Sequence, residues 1–400
     1  MPPVRCTGAT HVAGSAFHVL LRTLSALEDK TLMKRVVKKS SPQDARFAEA
    51  LIDWQKQHGR HQLPWQRTRD AYRIWLSEIM LQQTQVTTVI PYYARFLERF
   101  PNIAALAAAP TEEVMAYWSG LGYYSRARNL HRCAQQIVAQ HAGSFPQDPE
   151  TLASLPGIGK STAAAIAAFA FGARAAILDG NVKRVFCRVF GIEGFPGQVA
   201  VERDLWQRAE ALLPAQDIEA YTQGLMDLGA TLCTRTRPAC ERCPMQSRCI
   251  AHAAGRTLEL PARKPKKAIP EKSTVMLVVV HQGEILMEQR PPKGIWGGLL
   301  SLPELNRLSP GGADVDLHEQ LAFALSSFGD IDEIKTLSGF VHGFTHYRLS
   351  VMPVHITLRQ RHLMAARTDY QWRALAQISE AALPSPVRKL LVTLGATMVS

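Results

Sequence analysis

No stretch of this chain is apolar for long enough to cross a bilayer as a helix, which takes about 20 consecutive residues. Residues 1–32 hold many small and apolar types but lack the charged start, hydrophobic stretch and small-residue cleavage site of a secretory leader. A disulfide framework is missing too. The seven cysteines are odd in number, Cys6, Cys133 and Cys187 are scattered, and the other four crowd into residues 233–249. That usage points to a reducing compartment, with the scattered three as inert packing thiols. There is no internal repeat and no low-complexity tract. Acidic residues are in deficit: 34 Asp and Glu face 46 Lys and Arg, for a formal net charge of +12 and a pI near 9.5. Such a balance suits an anionic partner without fixing a fold.

A length of 400 residues exceeds one ordinary core, and an apolar fraction of 46% is ample for two or three domains. Residues 1–40 are expected to be a disordered extension, because the periodic pattern begins only near Ser41 and Met33-Lys34-Arg35 reads as an alternative start. Residues 41–254 carry apolar residues at three- and four-residue spacing, punctuated by Gly and Pro, and predict an all-α domain. Residues 255–272 contain LPARKPKKAIPEK, too rich in Pro and Lys for helix or strand, and predict an extended basic linker. Residues 273–400 predict a separate α+β domain. It opens with a hairpin, VMLVVV and EILMEQR around His281-Gln282-Gly283, followed by a strand over 340–358 and helices over 316–328 and 386–394.

The crowded cysteines, Cys233, Cys240, Cys243 and Cys249, are spaced Cys-x6-Cys-x2-Cys-x5-Cys. Ligand count alone favours a structural zinc site, but zinc usually takes two separated Cys-x2-Cys knuckles, and only one such pair is present. The spacing resembles the cluster loop of the endonuclease III and MutY superfamily of DNA glycosylases, and implies a [4Fe–4S] cluster with a structural and DNA-docking role. Arg235, Arg237, Arg242 and Arg248, interleaved with the cysteines, suit phosphate contact, or else a solvated basic loop.

LPGIGKSTAAAIAAFAFG places a Gly-x-Gly turn directly before a helix, where the amides of residues 157–159 can hold a phosphate. A lone Gly-x-Gly is usually just a turn; here, with a helix near 149–155, it resembles the helix-hairpin-helix of the same superfamily. Gly157 and Gly159 are the implied DNA contacts, with Lys160 a phosphate contact or plain solvation. The next position separates two reaction types. Lyase-competent relatives have a lysine there, whose amine forms a Schiff base with the sugar. Ser161 cannot form an imine, and the resemblance implies a water-using, monofunctional enzyme.

Releasing a purine requires a proton for the leaving base and negative charge near a cationic sugar, which two carboxyls in different environments supply. Glu78 lies in YRIWLSEIMLQQTQV, sharing a helix face with Ile74, Trp75, Leu81 and Gln82, so its pKa is expected to be raised. Taken alone it is more simply an exposed or paired glutamate. Asp179, in AILDGNVKRVFCRVF, is taken alone an N-cap. Both segments closely resemble the MutY family, in register with Ser161. The resemblance makes Glu78 the general acid at adenine, Asp179 the stabiliser of the sugar cation, and Asn181 their polar partner.

In the same family a flipped base is replaced by side chains matching Gln83 and Tyr123, with Arg126 and Arg128 of SGLGYYSRARNL placed to hold backbone. Trp65 and Gln223 match residues lining its adenine pocket; their plainer alternatives are a core Trp and a surface Gln. The C-terminal region resembles a Nudix fold without the metal-binding glutamate helix, so no Mg-dependent pyrophosphate hydrolysis is expected. A Phe-Ser-His loop there recognises 8-oxoguanine in the family; the matching residues are Phe344, Thr345 and His346 of HGFTHYRL, with His342 and His346 carrying little weight as metal ligands. The implied protein is a monomeric adenine DNA glycosylase, cytoplasmic and nucleoid-associated in a bacterium, removing adenine opposite 8-oxoguanine or guanine in duplex DNA. The alternatives are an endonuclease III-like glycosylase/lyase for oxidised pyrimidines and a non-catalytic DNA-damage binder.

Overall fold

The structure, a computed structural model, describes residues 42–264, 268–308, 316–344, 346–362 and 369–398. The N-terminal extension and Thr345 lie outside the described residues. The chain opens with helices α1 (Pro42–His58), α2 (Ala71–Leu81), α3 (Val86–Arg99), α4 (Ile103–Ala108), α5 (Thr111–Trp118), α6 (Ser125–Gln140), α7 (Pro149–Ala153) and α8 (Lys160–Phe171). It continues with α9 (Gly180–Val189), α10 (Val199–Ala211), α11 (Ile218–Asp227), a π turn (Leu228–Leu232), two 3-10 turns (Cys240–Arg242 and Gln246–Arg248) and α12 (Ile250–Ala253).

Helix α8, KSTAAAIAAFAF, is apolar around its whole circumference, the pattern of a helix buried on all sides. Ala163, Ile166, Ala167 and Ala170 face a core built with α2–α7. Ala164, Ala165 and Ala168 face a second core formed with α1, α9, α10 and α11. Its alanines let both sets of helices approach closely, so two lobes share one central rod.

The C-terminal part contains β1 (Glu271–His281), β2 (Glu284–Gln289), β3 (Leu300–Ser301), α13 (Leu305–Leu308), α14 (Leu317–Leu325), β4 (Gly329–Thr336), β5 (Phe340–Gly343), β6 (Arg348–Arg361), β7 (Tyr370–Ala374) and α15 (Ser385–Met398). The sheet order is β3-β2-β1-β6-β4, with β5 also on β6 and β7 on β2. Gln282 and Gly283 have φ of 44° and 78°, the left-handed pair of a tight two-residue hairpin turn. The run VMLVVV is continuous because β1 is covered on both faces. Met276, Val278 and Val280 join the core of the helical domain, whereas Leu277 and Val279 pack under α14. Its parallel pairing with β6, from Glu271↔Arg348 to Val280↔Thr357, was not foreseen from the hairpin.

The single strand expected over 340–358 is instead two. The chain reverses between Phe344 and Tyr347, where the Phe344 amide donates to the Tyr347 carbonyl at 2.9 Å, and β5 folds back antiparallel on β6. Apolar alternation changes phase at this reversal, from Phe340 and Phe344 to Tyr347, Leu349 and Val351, a break that the single-strand reading passes over. The domains are fastened through Ser119, whose Oγ donates to the Leu383 carbonyl at 2.9 Å and accepts from Arg388 at 3.1 Å. The Tyr124 hydroxyl reaches the same carbonyl at 3.2 Å.

Gly172 ends α8 in the left-handed region at φ 67°, with open space where a Cβ would stand. Gly172→Ala is therefore expected to cost about 1 kcal/mol of backbone strain alone. Denaturant unfolding at unchanged slope checks this.

Candidate active site and nucleic-acid interface

Asp70 starts α2 by accepting from the Tyr72 amide at 2.9 Å. The helix buries Ile74, Trp75, Leu76, Ile79 and Met80, and this burial draws Glu78 inward, one turn beyond Ile74. Glu78 lines a pocket of about 260 Å³ with Trp65, Ile74, Leu81, Phe169 and Gln223. No described residue gives its carboxyl a hydrogen bond or a cation. Burial first, and the charge of Asp179 second, push its pKa up to about 8. Below that pH the carboxyl holds a proton.

Trp65 is buried and meets Tyr93 edge-to-face at 5.4 Å. Gln223 donates from Nε2 to Asp227 Oδ1 at 2.8 Å. Asp227 is wholly buried and accepts from both the backbone amide and the Nε of Arg60, at 2.8 and 2.7 Å. An ion pair thus sets the Gln223 amide in the pocket wall. Sequence reasoning missed Arg60 and Asp227, which are 167 positions apart with no shared motif.

Asp179 is the N-cap of α9, accepting from the Val182 amide at 2.8 Å and from Asn181 Nδ2 at 3.2 Å. Burial raises its pKa, while the amides of Val182 and Asn181, the Arg184 charge and the Asn181 side chain pull it back. Because Asp179 has these anion-stabilising partners and Glu78 has none, the shared environment favours the proton on Glu78. Ser161 does more than replace an amine: its Oγ accepts from the Leu178 amide at 2.9 Å, so α8 fixes the residue before Asp179.

Arg184, also missed, spans this end of the site. It donates to Asn181 Oδ1 at 2.8 Å, to the Gly229 carbonyl at 2.6 Å and to the Cys233 carbonyl at 2.7 Å. Gly229 admits no side chain, since a Cβ would stand 2.5 Å from the Cβ of Asn181. One turn on, Arg188 donates to Cys233 Sγ at 3.3 Å and to the carbonyls of Thr234, Arg235 and Leu260. The i, i+4 spacing on a basic helix was the available signal.

Cys233, Cys240, Cys243 and Cys249 line one cavity, walled also by Val185, Leu228 and Leu232. Among the described residues no three His, Cys, Asp or Glu side chains are gathered as for a single metal ion. Arg235, Arg237 and Arg242 are exposed, and Arg248 is half-buried.

Gly157, at φ 80°, and Gly159, the N-cap of α8, form the expected turn between α7 and α8; a Cβ on Gly157 would stand 2.8 Å from that of Asn129. Lys160 is engaged elsewhere, paired with Glu210 at 3.0 Å and lying 4.0 Å over the Trp206 ring. Gln83 and Tyr123 are both exposed and both left-handed, at φ 58° and 49°. The expected backbone contacts of Arg126 and Arg128 fall on the protein's own backbone. Arg126 is buried and donates to the carbonyls of Ile79, Met80, Leu121 and Gly122 and to Thr84 Oγ1, clamping the end of α2 to both loops. Arg128 donates to the Gly297 carbonyl at 2.5 Å.

In the C-terminal domain, Phe344 stacks on Tyr347 at 4.5 Å and meets His342 at 4.6 Å, while His346 is exposed beside them. His342 sits within an aromatic cluster rather than a ligand set.

A match to the HhH-GPD superfamily base excision DNA repair protein covers residues 76–211, and one to a NUDIX domain covers residues 274–393. Together with the carboxyl pair these define the class, a base-excision DNA repair enzyme with an appended Nudix-like domain. The chain is 34% identical over 347 residues to the adenine DNA glycosylase of Buchnera aphidicola subsp. Schizaphis graminum, covering 86% of this chain and 97% of that protein. It is 32% identical to the human adenine DNA glycosylase, covering 86% of this chain and 73% of that one. It belongs to the adenine DNA glycosylase family. Among solved structures, a thermostable thymine-DNA glycosylase aligns at 30% identity and TM-score 0.49, covering 53% of this chain and 98% of that one.

Arg184→Gln is expected to unseat Asn181 and the Cys233 loop together, at about 2–4 kcal/mol for lost charge-assisted bonds and stranded carbonyls. Base release should fall while thermal stability falls with it. A stable variant with native turnover would remove Arg184 from the site.

Proposed function

We propose that this adenine DNA glycosylase hydrolyses the N-glycosidic bond of adenine paired with 8-oxoguanine or guanine, leaving an intact strand with an abasic sugar. The observation that carries this reading is the unequal pair of carboxyls. Glu78, unpaired and with its pKa near 8, gives a proton to a ring nitrogen of the departing adenine. Asp179, whose donors offset part of the burial that raises its pKa, faces as the carboxylate the positive charge that develops on the sugar. The bond electrons leave with the base, water adds to the sugar carbon, and its proton returns to a carboxylate. Trp65 and Gln223 hold the base in the pocket, and Asn181 orients Asp179. Ser161 offers no amine, and its oxygen already accepts from Leu178. Gln83 and Tyr123 fill the space left in the duplex, and Gly157 and Gly159 seat a backbone phosphate. Lys160 adds to that seat on leaving Glu210. The turn holding Phe344, Thr345 and His346 reads the opposite base.

The four cysteines would hold a [4Fe–4S] cluster. They line one cavity on a short loop, and Arg188 supplies an N–H to Cys233 Sγ, the kind of donor that accompanies cluster thiolates. Burial raises the pKa of Cys243 to about 11 and also raises Cys240 and Cys249, so these three thiols would ionise with the help of the positive charge that iron would supply. When bound, the cluster supplies a fixed loop shape. The exposed Arg235, Arg237 and Arg242 on that loop face DNA.

Duplexes with A opposite 8-oxoguanine, A opposite T, and thymine glycol test the reading, scored for base release with and without alkali. Release from the first alone, with nicking only in alkali, is expected; nicking without alkali would favour a lyase. The single-turnover rate should fall as pH rises through about 8, because Glu78 then loses its proton. Glu78→Gln should abolish release and leave DNA binding intact. Folding linkage has a defined sign: with a folded pKa above the unfolded value, native Glu78 binds more protons, so stability falls between roughly pH 4.5 and 8. Glu78→Gln should therefore raise the melting temperature at pH 8, by about 2–4 °C per kcal/mol. Purified protein is expected to be brown, and Cys240→Ser to bleach it; a colourless zinc-loaded protein would overturn the cluster.

A further inference from the structure

Between β2 and β3 the chain runs Arg290-Pro291-Pro292-Lys293-Gly294-Ile295-Trp296-Gly297-Gly298, a segment with no part in the chemistry above. Trp296 is buried and left-handed, at φ 54°, a conformation a bulky residue adopts only where its surroundings impose it. Its ring packs 5.7 Å from Phe344 and 6.1 Å from His342. Arg290 lies 6.0 Å over the same ring and is itself paired with Glu304 at 2.7 Å and Glu288 at 3.2 Å. At Gly297 the backbone is packed against itself: a Cβ would stand 2.7 Å from the Pro292 carbonyl oxygen and 2.9 Å from that of Pro291. The segment is a stiff base on which the Phe344 turn rests.

Arg128 donates to the Gly297 carbonyl at 2.5 Å, one residue from Trp296. Arg128 belongs to α6, whose N-terminal end carries Tyr123 and is locked to α2 by Arg126. A short series of contacts therefore joins the residue that enters the duplex to the turn that faces the opposite base. Ser119, Tyr124 and Arg388 fasten the domains at a different place, so loosening this link does not detach the domain.

We infer that Arg128 is a positioning residue that sets specificity, tying the seating of Tyr123 to recognition of the opposite base by the Phe344 turn. It touches neither base. A modified guanine that fits the turn stabilises the docked segment, and through Arg128 it stabilises the inserted position of α6. An unmodified guanine gives less of this support. The coupling is reciprocal, so insertion of Tyr123 also favours a turn ready for the lesion. The inference rests on reading that turn as the site that distinguishes 8-oxoguanine.

The test is single-turnover base release by the full chain from A:8-oxoguanine and A:G duplexes, together with hydrogen exchange without DNA. Arg128→Gln should slow the first duplex about tenfold and the second less than about twofold, the size of one lost charge-assisted hydrogen bond. Arg128→Lys, which keeps one donor, should restore part of the preference. In a His346→Ala background the same Gln substitution should cost less, as expected for residues acting in one chain. Exchange at residues 293–299 and 340–344 should quicken while the Arg388 amide, bonded to the Pro384 carbonyl at the other fastening point, stays protected. Equal losses on both duplexes with a weaker salt dependence would make Arg128 a phosphate ligand and overturn the inference. An unchanged preference, with or without a lower melting temperature, would overturn it as well. Native protein without any preference would refute the reading of the turn. Unchanged exchange in Arg128→Gln would instead refute the mechanical link alone.

Discussion

A half-buried carboxyl without a partner is the constraint around which this molecule is arranged. Glu78 lies in a pocket of mixed polar and apolar lining with neither hydrogen bond nor cation on its carboxyl, and desolvation together with the charge of Asp179 raises its pKa to about 8. That state is unfavourable locally and persists only if the surrounding frame does not relax. Helix α2 is held at its start by Asp70, along its length by the buried Trp75, Leu76 and Met80, and at its end by Arg126. The opposite wall is held by the Arg60–Asp227 pair. Stability is given up at one side chain and supplied by its neighbours.

Arginine has a different place here than net charge alone implies. Arg126, Arg184 and Arg188 point inward and satisfy backbone carbonyls of loops that have no regular partners. The planar fork of donors suits this, because one side chain gathers several carbonyls from separate segments. Arg126 joins the Gln83 and Tyr123 loops, Arg184 joins Asn181 to the Cys233 loop, and Arg128 joins the domains. Part of the positive charge thus serves the fold, while Arg235, Arg237 and Arg242 of the cysteine loop stay exposed.

Much of the site was legible because it lies in contiguous motifs. Glu78, Asp179, Ser161 and the four cysteines each sit in a short segment that resembles the MutY family, and it is this resemblance, not the residue types alone, that implies their chemical tasks. The helix after the glycine turn was legible as well, though its place between two cores was not. Local text leaves two roles open at some positions. Lys160 beside the glycine turn reads as a phosphate contact or as plain solvation, and it stands exposed over Trp206 and paired with Glu210. The strand over 340–358 reads as one only when a change of phase in its alternation is passed over, between Phe344 and Tyr347, where the chain turns back.

By itself the sequence determined element types, the order of the helical segments, the separation into helical and α+β parts, and the candidate acid, anion and thiolates. The element types and their order follow from periodicity, which acts over a few neighbouring positions. The acid, anion and thiolates are what the resemblance to the MutY family implies for residues of suitable type. Tertiary structure alone decided that Glu78 lacks a partner while Asp179 has several, that Ser161 holds Leu178, and that β1 pairs in parallel with β6. It also decided that Arg128 ends on Gly297, 169 positions away. Desolvation and hydrogen-bond geometry depend on which distant segments come together, and no local pattern encodes that meeting.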